Sequence, residues 1–207
     1  MRVLKVNRFW PALAVAFGAA LVIVTAASAD TGLATATVVQ QAPGVQQGIL
    51  CAPGVPGFVA LGEIFAGPFT EVSGKSKESK LLEKSSVTVV QNATICIVGY
   101  PDGSGNVPFL GSVSGDATIT RKDSSGRNVL GASYGSPVAG TLNVFSGAIN
   151  VVWQPGGAYV ITDASGKFAR DFTVGEYGTA TATASSPGYG APESGVLQIS
   201  FDFEAKN

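Results

Sequence analysis

Apolar residues recur along this chain at every second position, and helical spacing is nearly absent. The clearest case is "VLQISFDFE", 196–204. Leu197, Ile199, Phe201 and Phe203 fall on one side, and Gln198, Ser200, Asp202 and Glu204 on the other. A strand sends successive side chains to opposite faces, so this segment reads as a half-buried strand. "GTATATAS", 178–185, repeats the period with Thr179, Thr181 and Thr183 opposite Ala180, Ala182 and Ala184. "LATATVV", 33–39, resembles it through Thr35 and Thr37. Both predict an exposed Thr face over a small-residue inner face, with the two Thr strands paired across a sheet. An ice-contact face would need several such strands at a fixed repeat, and no repeat of that kind recurs.

Further strands are predicted at 86–91, 94–100, 117–122, 141–145, 149–153, 158–162 and 167–174, each β-branched or aromatic and bounded by Gly, Pro, Asn or Asp. Three D-x-S-G turns punctuate them: "DGSG" (102–105), "DSSG" (123–126) and "DASG" (163–166). Asp bonds backbone N–H groups two residues on, and Gly takes the left-handed conformation of a bulged hairpin. The last two read as hairpin tips, the second joining "AYVIT" to "KFARDF". Oxygens at Asp102, Ser104 and Asn106 also suggest calcium, but the twelfth position of such a loop lacks its acid. Pro43, Pro53, Pro56 and Pro68 break residues 30–68 into loose edge pieces or loops. "KSKESKLLEK", 75–84, is the one helix-like piece and reads as a solvated insertion.

Turn signals about every eight to fifteen residues, with no alternating helices, predict an all-β fold. The expected architecture is an antiparallel β-sandwich, jelly-roll or immunoglobulin-like, with a closed β-barrel as the alternative.

The N-terminus changes the picture. Arg2, Lys5 and Arg8 precede an apolar run, 12–24, and an A-x-A site at Ala27 and Ala29. These are the parts of a secretory signal peptide, 1–29, cleaved before Asp30. The remaining chain, 30–207, suits one domain. It carries ten basic and fourteen acidic residues, a charge of −4. That balance provides no electrostatic footprint for nucleic acid. No later segment approaches membrane length, so no membrane span is expected after cleavage. Two cysteines in an exported chain, Cys51 and Cys96, predict one disulfide. Closing that loop stabilises the fold by about 4 kcal/mol in the chain-entropy picture. The expected home is the cell exterior or surface, or a periplasm.

The chain has no histidine. Ser-His-Asp and Cys-His hydrolysis and His-ligated metals are therefore excluded. "GASYG", 131–135, matches a nucleophile elbow around Ser133 only by chance, since no base exists to take the proton. Carboxylate catalysis would need two acids flanking a cleft, and no local constellation stands out. No catalytic residue, metal or cofactor is expected. Tyr134, Tyr177 and Tyr189 each precede a Gly. They are the candidate ligand-binding residues, as exposed loop rings on which a sugar stacks; the competing reading folds each ring back over the core. "NAT", 92–94, is a glycosylation acceptor pattern.

These observations favour an exported surface protein whose work is structure or interaction. Its partners would be other copies of itself or another surface protein, with a self-assembling filament or coat as one form. The segment 30–41, as a strand-like arm, would add to a neighbour's sheet edge. The alternative is a monomeric carbohydrate-binding module with a glycan partner. An ice-binding protein and a carboxylate hydrolase are weaker readings.

Overall fold

A computed structural model describes residues 30–73, 77–123 and 126–203. The segment read as a signal peptide lies outside the described residues. The described residues are all-β, with one ten-stranded antiparallel sheet and two short helices. The strands are β1 (Asp30–Ala42), β2 (Val45–Ala52), β3 (Val55–Ser73), β4 (Ser86–Ile97), β5 (Asn106–Asp123), β6 (Gly126–Asn143), β7 (Ile149–Trp153), β8 (Ala158–Ala164), β9 (Tyr177–Ser186) and β10 (Ser194–Phe203). The helices are α1 (Lys77–Leu82) and α2 (Phe168–Asp171). Among the described residues no helix is long and apolar enough to cross a membrane.

Two pairs of strands are single runs with an interruption. β1 and β2 both lie antiparallel to β3, parted only at Pro43 and Gly44. β7 and β8 both lie antiparallel to β6 and to β9, parted at residues 154–157. Counted this way, eight antiparallel runs each pair with the runs before and after them, and no connection skips a neighbour. β1 also pairs with β10, Thr35 lying opposite Gln198, so the path of pairings returns to its start. The segment expected as a free arm is thus built into this chain's own sheet on both edges.

Alternation decides which face is buried. Ala34, Ala36 and Val38 of β1 are buried, as are Val87, Val89, Ala93 and Ile95 of β4, and Leu197 and Ile199 of β10. The opposite phase carries Thr88, Thr118, Thr179, Thr181, Thr183 and Gln198. Burying the first set stabilises the fold by roughly 25 cal/mol for each Å² removed from water. The Thr strands do not pair with each other as expected. β10 lies between them, with Gln198 opposite both Thr35 and Thr181.

Asp123 and Gly126 close the β5–β6 hairpin as predicted, with Gly126 at φ +116°. The "DASG" turn and the strand expected at 167–174 differ. Gly166 turns the chain into α2 instead, and Asn128 Oδ1 accepts the Lys167 N–H at 2.7 Å. Phe168 of α2 and Phe172, the extended residue that ends the helix, bury together and meet edge-to-face at 5.7 Å. The insertion at 75–84 likewise does more than meet solvent: Leu82 is fully buried and Leu81 nearly so. Both helices pack at one end of the sheet, where the Arg121 guanidinium donates to the carbonyls of Lys80 and Leu81. Residues 30–68, expected to be loose, form β1, β2 and most of β3.

The predicted disulfide is present between Cys51 on β2 and Cys96 on β4, with Cα atoms 5.9 Å apart. It crosses over β3 at Gly57, which lies opposite both Ile49 and Cys96. A disulfide of this kind fits an extracellular or otherwise oxidising compartment.

Candidate functional site

The buried face of the sheet does not fill its own interior. It surrounds a cavity of about 740 Å³. The wall is mostly apolar, with Val89, Val113, Ile119, Leu130, Val151 and Ile161 among its members. Small residues supply the space: Ala180, Ala182 and Ala184 of β9 all face it. The Thr-Ala alternation of this strand therefore has a second consequence, because its thin inner face leaves volume unfilled. At the end away from the helices, Gln46, Gln47, Tyr189, Gly190 and Pro192 line the cavity and are exposed, so the cavity reaches the surface there.

Five polar residues cross this apolar wall as a connected string. Gln91 Nε2 donates to Glu63 Oε2 at 3.0 Å, and Gln40 Nε2 reaches Glu63 Oε1 at 3.5 Å. The Tyr134 hydroxyl donates to Gln91 Oε1 at 3.2 Å. The Glu193 N–H donates to Gln40 Oε1 at 3.3 Å, and the Gln40 N–H donates to the Glu193 carbonyl at 2.8 Å. Beside the string, Tyr134 stacks on Trp153 with ring centroids 5.1 Å apart. Such stacking adds roughly 0.5–1.5 kcal/mol beyond the area it buries.

A bulge puts Glu63 inside. Ala60 lies opposite Ala93 and Glu63 opposite Gln91, so Leu61 and Gly62 share one partner position, Asn92. The extra residue shifts the phase of β3 by one and turns Glu63 to the buried face. Gly62 takes φ +70°, and its N–H donates to Asn92 Oδ1 at 2.9 Å. Gly44, at φ +72° in the β1–β2 break, lies so close that a Cβ there would stand 2.9 Å from Glu63 Cγ.

Burial sets the electrostatics. Glu63 is only 5% exposed, and desolvation raises its carboxyl above the ordinary range although the Gln91 bond works the other way. Burial, helped by the charge of Glu63, pushes Glu193 up to about 7. The Tyr134 phenol is raised by burial and by the charges of Glu63 and Asp116. The string therefore combines two reluctant carboxyls, two amides and a phenol in low-dielectric surroundings.

The three tyrosines singled out in the sequence are separated. Tyr134 stands on β6, buried in the cavity wall. Tyr189 is 74% exposed at the open end, its ring over Gly147 and its hydroxyl donating to the Val144 carbonyl at 3.1 Å. Tyr177 is 78% exposed at the start of β9, toward the end that carries the helices. No single platform joins them. Ser133 lies on the outer phase of β6 and donates to Asp116. Asp102 holds the N–H groups of Ser104 and Asn106 at 2.9 Å each, as turn chemistry predicts. Among the described residues no group of three His, Cys, Asp or Glu is placed to hold a metal.

Glu63, Gln91 and Gln40 were not singled out from sequence. One signal was present for Gln91: it continues the inward phase of Val87 and Val89 with a polar residue. Comparison with protein-family models, with curated proteins and with solved structures finds no match to this chain.

Proposed function

We propose that the sheet closes as an eight-run barrel and that the protein binds a small, mainly apolar molecule inside it. The observation that carries this reading is the 740 Å³ apolar cavity crossed by a short polar string. Eight-stranded barrels have interiors of the size that holds one small ligand, and such sites pair apolar walls with a few placed polar groups. The nearest-neighbour connections favour the barrel over a jelly-roll or immunoglobulin sandwich, whose Greek keys skip neighbours. The inner phase of the strands is aliphatic, while the outer phase mixes Thr, Ser and Gln with exposed Leu61, Val90, Leu110, Val152 and Val196. Export to an oxidising compartment fits a carrier or scavenger working outside the cell.

The test is a titration with Nile red, a neutral apolar dye. The protein should bind it with a blue-shifted emission. Ala182→Phe, which fills the cavity, should weaken binding at least tenfold, and Thr181→Phe on the outer face of the same strand should not. Equal binding by both variants, or none by the parent, would overturn the reading.

A second reading, association between copies at a surface, is favoured by one feature. Among the described residues β2 pairs only with β3, so Val45–Ala52 presents an edge unpaired by them and free of Lys and Pro. Light scattering over a concentration series tests it; a monomer throughout would remove it.

A further inference from the structure

Resting on the reading of the cavity as a binding site, we propose that its ligand is an amphiphilic amine. The apolar body lies against Trp153 and the Ala wall of β9, and the ammonium group is held by Glu63 and Glu193. Among the described residues the lining carries both carboxyl groups and no Lys or Arg, and the chain has no His. A cavity built for a fatty acid or other anion would need a cationic or donor-rich anchor, and here the anchor has the opposite sign. Glu193 makes no side-chain hydrogen bond or ion pair among the described residues, so its carboxylate has capacity for a ligand. Glu63 accepts from two amides that fix its position, and an anionic oxygen retains lone pairs for a further donor. The Tyr134–Trp153 pair adds aromatic surface, which attracts an ammonium group as well as apolar carbon.

Two like charges facing one cavity repel each other, which explains part of the upward push on Glu193. A cation between them removes that repulsion. The titratable groups lining the cavity are Glu63 on β3, Glu193 before β10, and the phenols Tyr134 on β6, Tyr159 on β8 and Tyr189 before β10, with Asp116 acting on Tyr134 from β5. The carboxyls set the pH response near pH 7. Amine affinity should rise as pH increases through about 7, where Glu193 ionises, while an alkyl ammonium, ionising near pH 10.4, keeps its charge.

Trp153 is the only tryptophan in the chain from Asp30 onward and lines the cavity, so its fluorescence reports occupancy. Decylamine, decanol and decanoate share one apolar chain and differ in charge. At about pH 8.5 decylamine should bind at least tenfold more tightly than decanol, or about 1.4 kcal/mol, with decanoate weakest. Glu63→Gln with Glu193→Gln should bring the amine-to-alcohol ratio close to one. Should the double variant fail to fold, Glu193→Gln alone should lower the ratio. Equal affinities, or a preference for decanoate, overturn the amine assignment and leave the cavity reading standing. Binding of none of the three overturns the cavity reading itself.

Discussion

At the scale of single residues, the account depends on where charge and sulfur are placed. Both cavity carboxyls have their pKa raised in the folded state, Glu193 to about 7. The folded protein therefore holds protons that the unfolded chain releases above about pH 4.5. Stability attributable to these groups is highest at the acid end of that window and falls as pH rises toward about 7. Urea midpoints measured across the window should fall less steeply for Glu193→Gln than for the parent; identical slopes would contradict the assignment. Asp102 works in the opposite sense and at lower pH, its carboxyl lowered by the Asn106 and Ser104 N–H groups. A second residue-scale prediction concerns Gly57. A Cβ there would stand 2.6 Å from Cys51 Sγ and run into the Ile95 carbonyl. Gly57→Ala should leave Cys51 and Cys96 free to react in a thiol titration, and full oxidation of the variant would contradict this. Sequence reasoning reached the disulfide but not Glu63. Counted at period two from Ala60, Glu63 faces outward, and only the bulge at Gly62 reverses it. Tyr134 stands on β6 and not in a loop, because the strand continues through the Gly that follows it.

At the scale of elements, the helices show how little sequence a buried contact requires. α1 and α2 are six and four residues long, yet they contribute Leu82 and Phe168, both with no exposure. Leu82→Ala should destabilise the fold by about 2–5 kcal/mol, the range for an aliphatic side chain truncated in a packed core. Equilibrium unfolding in urea measures it, and a loss below about 1 kcal/mol would contradict the tight packing of Leu82. Both helices were legible in part. The paired leucines of "KLLEK" and the i, i+4 phenylalanines of "FARDF" are core signals, but a charged surround masked the first and a β-like composition masked the second. The strands were easier to see. In β4, β9 and β10 alternation alone separated the buried face from the wet one, because each has one face against the interior and one in water.

At the scale of the whole molecule, the feature that matters most leaves no local trace. The β1–β10 pairing sets Thr35 opposite Gln198, and no period-two pattern states which distant strand another will pair with. The cavity depends on such long-range pairing together with the small inner residues of β9, so it too was hidden, although the Thr-Ala alternation was plain. The central claim is that this interior is a binding chamber rather than a loosely packed core. The most direct measurement is a crystal structure of the chain from Asp30 onward grown with decylamine above pH 8. The account predicts ligand density inside the ring of strands, its apolar chain along Ala180, Ala182 and Trp153 and its nitrogen within hydrogen-bonding distance of Glu63 or Glu193. An interior closed up by the rearranged side chains of Tyr134 and Trp153, with decylamine only on the outer surface, would contradict it.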